Sequence, residues 1–111
     1  MPAAAGCVRL FVYGTLVDER QLATVTGRAF PRRPATLPGF ARLDGRYPYV
    51  VPRAGGLVHG FVLDGIDATA LAALDAYEEE GRLYDRRRAE VVVDGERVAC
   101  EVYLGRDVAS G

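Results

Sequence analysis

"RRRAEVVVDGERVACEVYLG", residues 86–105, reads as two β-strands joined at Asp94-Gly95. Asp-Gly between two valine-rich runs is the strongest short signal for a tight hairpin, because both turn residues tolerate the positive φ that such a turn requires. Immediately upstream, "DATALAALDAYEEEG" (67–81) is alanine- and leucine-rich, with Asp67 as N-cap and Gly81 at its end, and predicts a helix. A helix followed by a hairpin, rather than alternating strand and helix, points to an α+β chain.

The rest of the chain extends that pattern. "CVRLFVYG" (7–14) is β-branched and aromatic and ends at Gly14, a strand. "VDERQLATVTG" (17–27) offers Asp18 as N-cap, Leu22 and Val25 at i,i+3, and Gly27 as a stop, a short helix. Pro31, Pro34, Pro38 and Gly39 argue against long regular structure across 28–40, although a strand through 35–44 with an edge or bend at Pro38 is compatible with them. "RYPYVVPRAGG" (46–56) reads as a short extended piece closed by a turn. "LVHGFVLDG" (57–65) reads as a strand with Leu57, His59, Phe61 and Leu63 on one face. Five or six strands with one or two inserted helices, in a chain this short, form a sheet able to curl into a small barrel.

The 111 residues make one domain, 1–111, with one core. Half the residues are hydrophobic and 26% charged, and the net charge of -1 lacks the basic excess of a nucleic-acid binder. Cys7 and Cys100 have no CxxC spacing and no nearby histidine, so buried thiols are expected rather than a metal site or disulfide. His59 alternates with apolar residues and has no ligand-like neighbours. No apolar run reaches membrane-spanning length and the start lacks a signal-peptide pattern, so a cytoplasmic protein is expected.

Two constellations could carry chemistry. In "FVYGTLVDER" (11–20) a strand runs through a glycine turn into a helix start. The N–H groups of such a turn lack internal partners and can receive an anion or a carbonyl oxygen gaining charge. In "AYEEEGRLYDRRR" (76–88), Glu78 stands four residues after Leu74 and seven after Leu71, on the face that buries those leucines. Glu79 and Glu80 lie about 100° and 200° further round and can stay in water. Partial burial and the helix C-terminus would both raise the Glu78 pKa toward that of a general base near neutrality. An ion pair with Arg86, Arg87 or Arg88 is the competing assignment, and spacing alone leaves both open. Tyr13, Tyr77, Tyr84 and Tyr103 flank these segments, and Tyr47-Pro48-Tyr49 lies in the irregular middle.

"FVYGTL" (11–16), "YP" (47–48), "LDAYEEEGRLYDR" (74–86) and the closing hairpin together resemble the γ-glutamylcyclotransferase superfamily, over nearly the whole chain. The resemblance implies an α+β fold: a small mixed-sheet β-barrel flanked by helices, with a cavity at one end. It implies a substrate-binding turn at Tyr13, Gly14, Thr15 and Leu16, with Tyr84 lining the pocket and Glu78 as catalytic acid/base. The implied reaction releases 5-oxoproline from a small γ-glutamyl amine without metal or organic cofactor. The implied partner is that small molecule, with no nucleic acid or membrane, and oligomeric state is unspecified. Two departures bear on substrate identity. Glu79 follows Glu78 where the family often has glycine, and Gly60-Phe61 stands where it often has Gly-Glu. A non-catalytic member, using the same pocket to bind a small ligand or serving as an interaction scaffold, is the alternative.

Overall fold

The computed structural model describes residues 7–44, 49–81 and 83–105. The Tyr47-Pro48 pair lies outside them. In chain order the elements are β1 (Val8–Val12), a 3-10 turn (Thr15–Val17), α1 (Glu19–Thr26), β2 (Arg32–Leu43), β3 (Tyr49–Ile66), α2 (Ala68–Glu78), β4 (Tyr84–Val93) and β5 (Glu96–Gly105). The strands close into a ring in the order β1-β3-β2-β4-β5. All pairings are antiparallel except β1 with β5, which makes the sheet mixed.

The long β2–β3 and β4–β5 ladders dominate the ring, and the seams between them are short. β1 meets β5 through Leu10 opposite Glu101 and Phe11 opposite Val102, and β2 meets β4 through Thr36 opposite Val92. Two residues either side of Thr36 stand Pro34 and Pro38, which have no N–H to donate, and the β2–β4 seam does not extend past Thr36.

The prolines therefore shape β2 without preventing it. The expectation that no long regular structure spans 28–40 is corrected by a twelve-residue strand from Arg32 to Leu43, which takes in nearly all of the strand expected through 35–44. Likewise β3 is one strand of eighteen residues, where an extended piece, a turn and a second strand were expected. Its register against β2 jumps between Pro38 opposite Leu57 and Phe40 opposite Pro52. The extra β3 residues bulge outward there, and Gly39 and Gly55 take the positive φ values, 84° and 78°, that such a jog requires. At the β4–β5 turn, Asp94 and Gly95 both have positive φ, as the hairpin signal demanded.

Two hydrophobic clusters lie on opposite sides of the sheet. Inside the ring are Phe11, Leu37, Val50, Val62, Val91 and Val102, all essentially inaccessible. Outside it, under the helices, are Leu10, Leu22, Leu63, Ile66 and Leu74. β1 is thus buried on both faces, which is why "VRLFV" shows no apolar–polar alternation. The same layering bears out Leu57, His59, Phe61 and Leu63 as one face of 57–65, which is the outer one. Leu57 and His59 are exposed, Phe61 and Leu63 pack outward beneath the helices, and Val58 and Val62 face the ring interior.

The helices are capped as expected at their starts. The Asp18 carboxylate accepts from the Arg20 N–H at 2.8 Å, and the Asp67 carboxylate accepts from the Ala70 N–H at 2.9 Å. α1 ends at Gly27 in the left-handed region. α2 ends earlier than expected, because Glu79, at φ 55°, already adopts that conformation two residues before Gly81, which is itself at positive φ, 88°. Among the described residues no helix is long and apolar enough to cross a membrane.

Gly60 fixes how closely β3 approaches β1. A Cβ there would collide with the Val12 carbonyl oxygen and lie 2.8 Å from Phe11 Cζ. Backbone cannot swing aside as a side chain can, so Gly60→Ala is expected to cost about 2 kcal/mol through overpacking. Urea unfolding of the variant against the wild type measures this.

Candidate active site

β1 ends beside the C-terminal end of α2, and a cavity of about 260 Å³ opens between them. Its lining includes all six residues expected to form the site: Tyr13, Gly14, Thr15, Leu16, Glu78 and Tyr84. Residues 60 or more positions apart in the chain are brought together because the 13–17 turn and α2 cover the same outer face of the barrel. The remaining walls come from Phe11, Val12, Tyr77, Glu79, Leu83 and Tyr103.

Each member of the turn is held differently. The Tyr13 ring is buried at the barrel end, with its hydroxyl donating to the Tyr103 carbonyl oxygen. Burial, followed by the nearby Tyr84 and Glu78 charges, pushes that phenol well above its ordinary pKa, so it is a neutral donor. The Leu16 side chain is only 2% exposed and anchors the turn in the outer cluster. The Thr15 hydroxyl is 2.9 Å from the Tyr77 hydroxyl, which also accepts from Gln21 Nε2 at 3.3 Å. Tyr77 directly precedes Glu78, so this contact ties the turn to the helix end that carries the carboxylate.

The first backbone bond of the turn runs from the Val17 N–H to the Gly14 carbonyl at 3.0 Å. The N–H groups of Gly14, Thr15 and Leu16 precede it and have no protein acceptor among the described residues. All three residues border the cavity, which makes them a candidate anion or oxyanion cradle.

Glu78 continues the buried Ala70–Leu74 row of α2 and is half-buried at the cavity wall. The competing ion pair with residues 86–88 does not form. The Arg86 guanidinium engages Asp75 at 2.8 and 3.1 Å and Glu101 at 2.9 Å. Arg87 lies 3.8 Å from Asp85. Among the described residues no cation stands within ion-pair distance of Glu78. Desolvation without compensation pushes its carboxyl up from 4.5 to about 7. Its negative charge, when present, is felt by the Tyr13 and Tyr103 phenols.

The position of Asp75 is a feature that spacing did not reveal. It stands one helical turn before Glu78, accepts from the Tyr103 hydroxyl at 2.6 Å, and anchors Arg86. The chain Glu101–Arg86–Asp75–Tyr103 locks β5, β4 and α2 together beneath the cavity. Its residues lie within the quoted "LDAYEEEGRLYDR" and hairpin segments, but their pairing depends on tertiary geometry. Among the described residues no group of three or more His, Cys, Asp or Glu side chains is placed to hold a metal ion.

The model of the family described as "Gamma-glutamyl cyclotransferase, AIG2-like" matches residues 10–110. The chain belongs to this family. AIG2-like protein A of Arabidopsis thaliana is 39% identical over 100 residues, covering 86% of this chain and 59% of its own length. AIG2-like protein C of the same plant is 36% identical over 103 residues, again with 59% of its length covered. This AIG2-like chain therefore spans somewhat over half the length of those curated relatives. In solution structure, an Arabidopsis thaliana protein superposes with a TM-score of 0.82 at 36% identity, covering 92% of this chain and 70% of the other. A mouse AIG2-like protein superposes at 0.75 with 26% identity, over 90% and 78% of the two chains. A structure titled gamma-glutamyl cyclotransferase shares the fold at a TM-score of 0.77 and 18% identity, over 89% of this chain and 66% of that one.

Proposed function

We propose that this chain is a γ-glutamyl cyclotransferase that converts a small γ-glutamyl amine to 5-oxoproline and the free amine. The observation that carries the reading is the half-buried Glu78 carboxyl, unpaired among the described residues, at the same cavity as Gly14, Thr15 and Leu16, whose N–H groups have no acceptor among the described residues. Family membership supports the same chemistry. The cavity volume lies below the roughly 300–1,000 Å³ of sites for drug-sized ligands, which favours an amino-acid-sized group inside it with the leaving amine directed outward.

In this mechanism the turn N–H groups hold the γ-glutamyl moiety so that its α-amine nitrogen faces its own γ-carbonyl carbon. A carbon–nitrogen bond forms between them, closing a five-membered ring, while Glu78 takes a proton from the attacking nitrogen. The oxygen of the tetrahedral intermediate gains charge against backbone donors. Collapse breaks the bond to the departing nitrogen, which receives the proton from Glu78. Holding the two reacting groups together supplies much of the rate, so no cofactor need enter the step.

Glu78 must be ionised to act as base, so 5-oxoproline release is expected to rise with pH through a midpoint near 7. The same shift links to stability. The folded chain keeps the Glu78 proton up to about pH 7, whereas the unfolded chain loses it near 4.5. Between these values the unfolded state has fewer protons bound, so stability falls as pH rises across that window. Glu78→Gln removes that slope and is expected to be more stable than wild type at pH 8 by on the order of 1–2 kcal/mol, discounted for the carboxyl's access to water. Urea unfolding at pH 5 and pH 8 tests the sign.

A further inference from the structure

We propose that Arg42 is a positioning residue for this activity, acting through the Tyr13–Gly14 peptide to orient and strengthen the Gly14 N–H donor. The inference rests on the cyclotransferase reading of the cavity and adds a residue that none of its motifs includes.

Arg42 lies near the end of β2, and its Nη1 donates to the Tyr13 carbonyl oxygen at 3.0 Å. That carbonyl and the Gly14 N–H belong to one planar, resonance-coupled amide. A guanidinium at the oxygen draws charge through the amide and polarises the N–H on its other side, and a charged donor does this more strongly than a neutral one. It also fixes the plane. Gly14 has no side chain to restrain rotation about its neighbouring bonds, and Arg42 grips the oxygen side of the peptide from another strand.

A second arginine of β2 makes the contrast that gives Arg42 its role. Arg32 Nη1 donates to the Val17 carbonyl at 2.7 Å. The two guanidinium groups therefore hold the carbonyls just before and just after the three donors at 14–16. Arg32 acts on the peptide leading into the Asp18 cap and away from the cavity, so its contribution is to the turn and the start of α1. Arg42 acts on the peptide that leads into Gly14, a residue lining the cavity. Its other contact, Nε to the exposed Asp44 at 3.5 Å, is a weak surface pair that leaves the guanidinium charge available to Tyr13.

The test compares wild type, Arg42→Met, Arg42→Lys and Arg32→Met by amide NMR and by 5-oxoproline release. In Arg42→Met the Gly14 amide proton is expected to move upfield. Turnover should fall about tenfold, less than the 100- to 1,000-fold lost when an oxyanion donor is removed outright. Arg42→Lys, which restores a charged donor, should recover most of both effects. Arg32→Met should lower the unfolding midpoint and leave the Gly14 resonance in place. An unmoved Gly14 resonance in Arg42→Met would overturn the proposal, as would a loss of rate that lysine does not recover. A wild type that releases no 5-oxoproline would defeat the activity itself, and the Gly14 resonance would still decide whether Arg42 polarises the peptide.

Discussion

Replacing Glu78 by glutamine is expected to lower 5-oxoproline release by about 100- to 10,000-fold, the range associated with losing a positioned acid/base group. The variant should keep its fold, because Gln preserves the volume and removes a carboxyl whose ionisation the cavity opposes. Loss of activity together with an unchanged or raised unfolding midpoint would separate this residue from an ordinary structural one. The effect should lie in kcat more than in KM, since binding is assigned to the turn rather than to Glu78. Near-normal turnover in the glutamine variant would remove Glu78 from the mechanism. The non-catalytic alternative differs in its expectation: ligand would bind the 13–16 turn equally in both proteins, and neither would release product.

The second large effect is structural and falls on Arg86. Its side chain is about one-quarter exposed and is shared between Asp75 of α2 and Glu101 of β5. Arg86→Met keeps most of the stem's volume but leaves two carboxylates facing each other without a cation. Such a loss in a fully buried site costs roughly 3–5 kcal/mol, and partial exposure brings the expectation to about 2–3 kcal/mol. Adding Asp75→Asn should restore part of it, because the uncompensated charge then disappears. Equal stability of the single and double variants would show that the pair contributes little. The two acidic residues one helical turn apart on α2 are thus expected to respond oppositely. Removing the partner of Asp75 destabilises the protein, whereas neutralising Glu78 does not.

What could be read from the chain was local. Asp18 and Asp67 as caps, Asp94-Gly95 as a hairpin and the face shared by Leu74 and Glu78 are each decided within a few residues. The fold class followed from counting such elements, and the resemblance carried by 11–16 and 74–86 pointed to the site. What was not legible depends on contacts distant in the chain. The prolines of 31–38 argued against a long strand, yet all twelve residues of β2 form because its full ladder is with β3 and its seam with β4 is a single residue pair. The shared face of Leu57, His59, Phe61 and Leu63 on β3 was legible, but which face points inward was not, because Gly60 occupies an inward position where a side chain would have marked it. Arg86 belonged to a charge run that offered Glu78 three partners, and only the packing of α2 against β4 and β5 assigned it to Asp75 and Glu101. Arg42 gave no signal at all, since its acceptor is a main-chain oxygen 29 residues away.

The central claim is that this cavity closes γ-glutamyl groups into 5-oxoproline, and the most direct measurement is product detection by mass spectrometry. Wild-type protein would be incubated at pH 8 with γ-glutamyl amines, γ-glutamyl dipeptides and glutathione in turn. The mechanism predicts stoichiometric 5-oxoproline and free amine from at least one small γ-glutamyl amine. Folded protein that binds 5-oxoproline at the turn yet releases none from any of these substrates would contradict it.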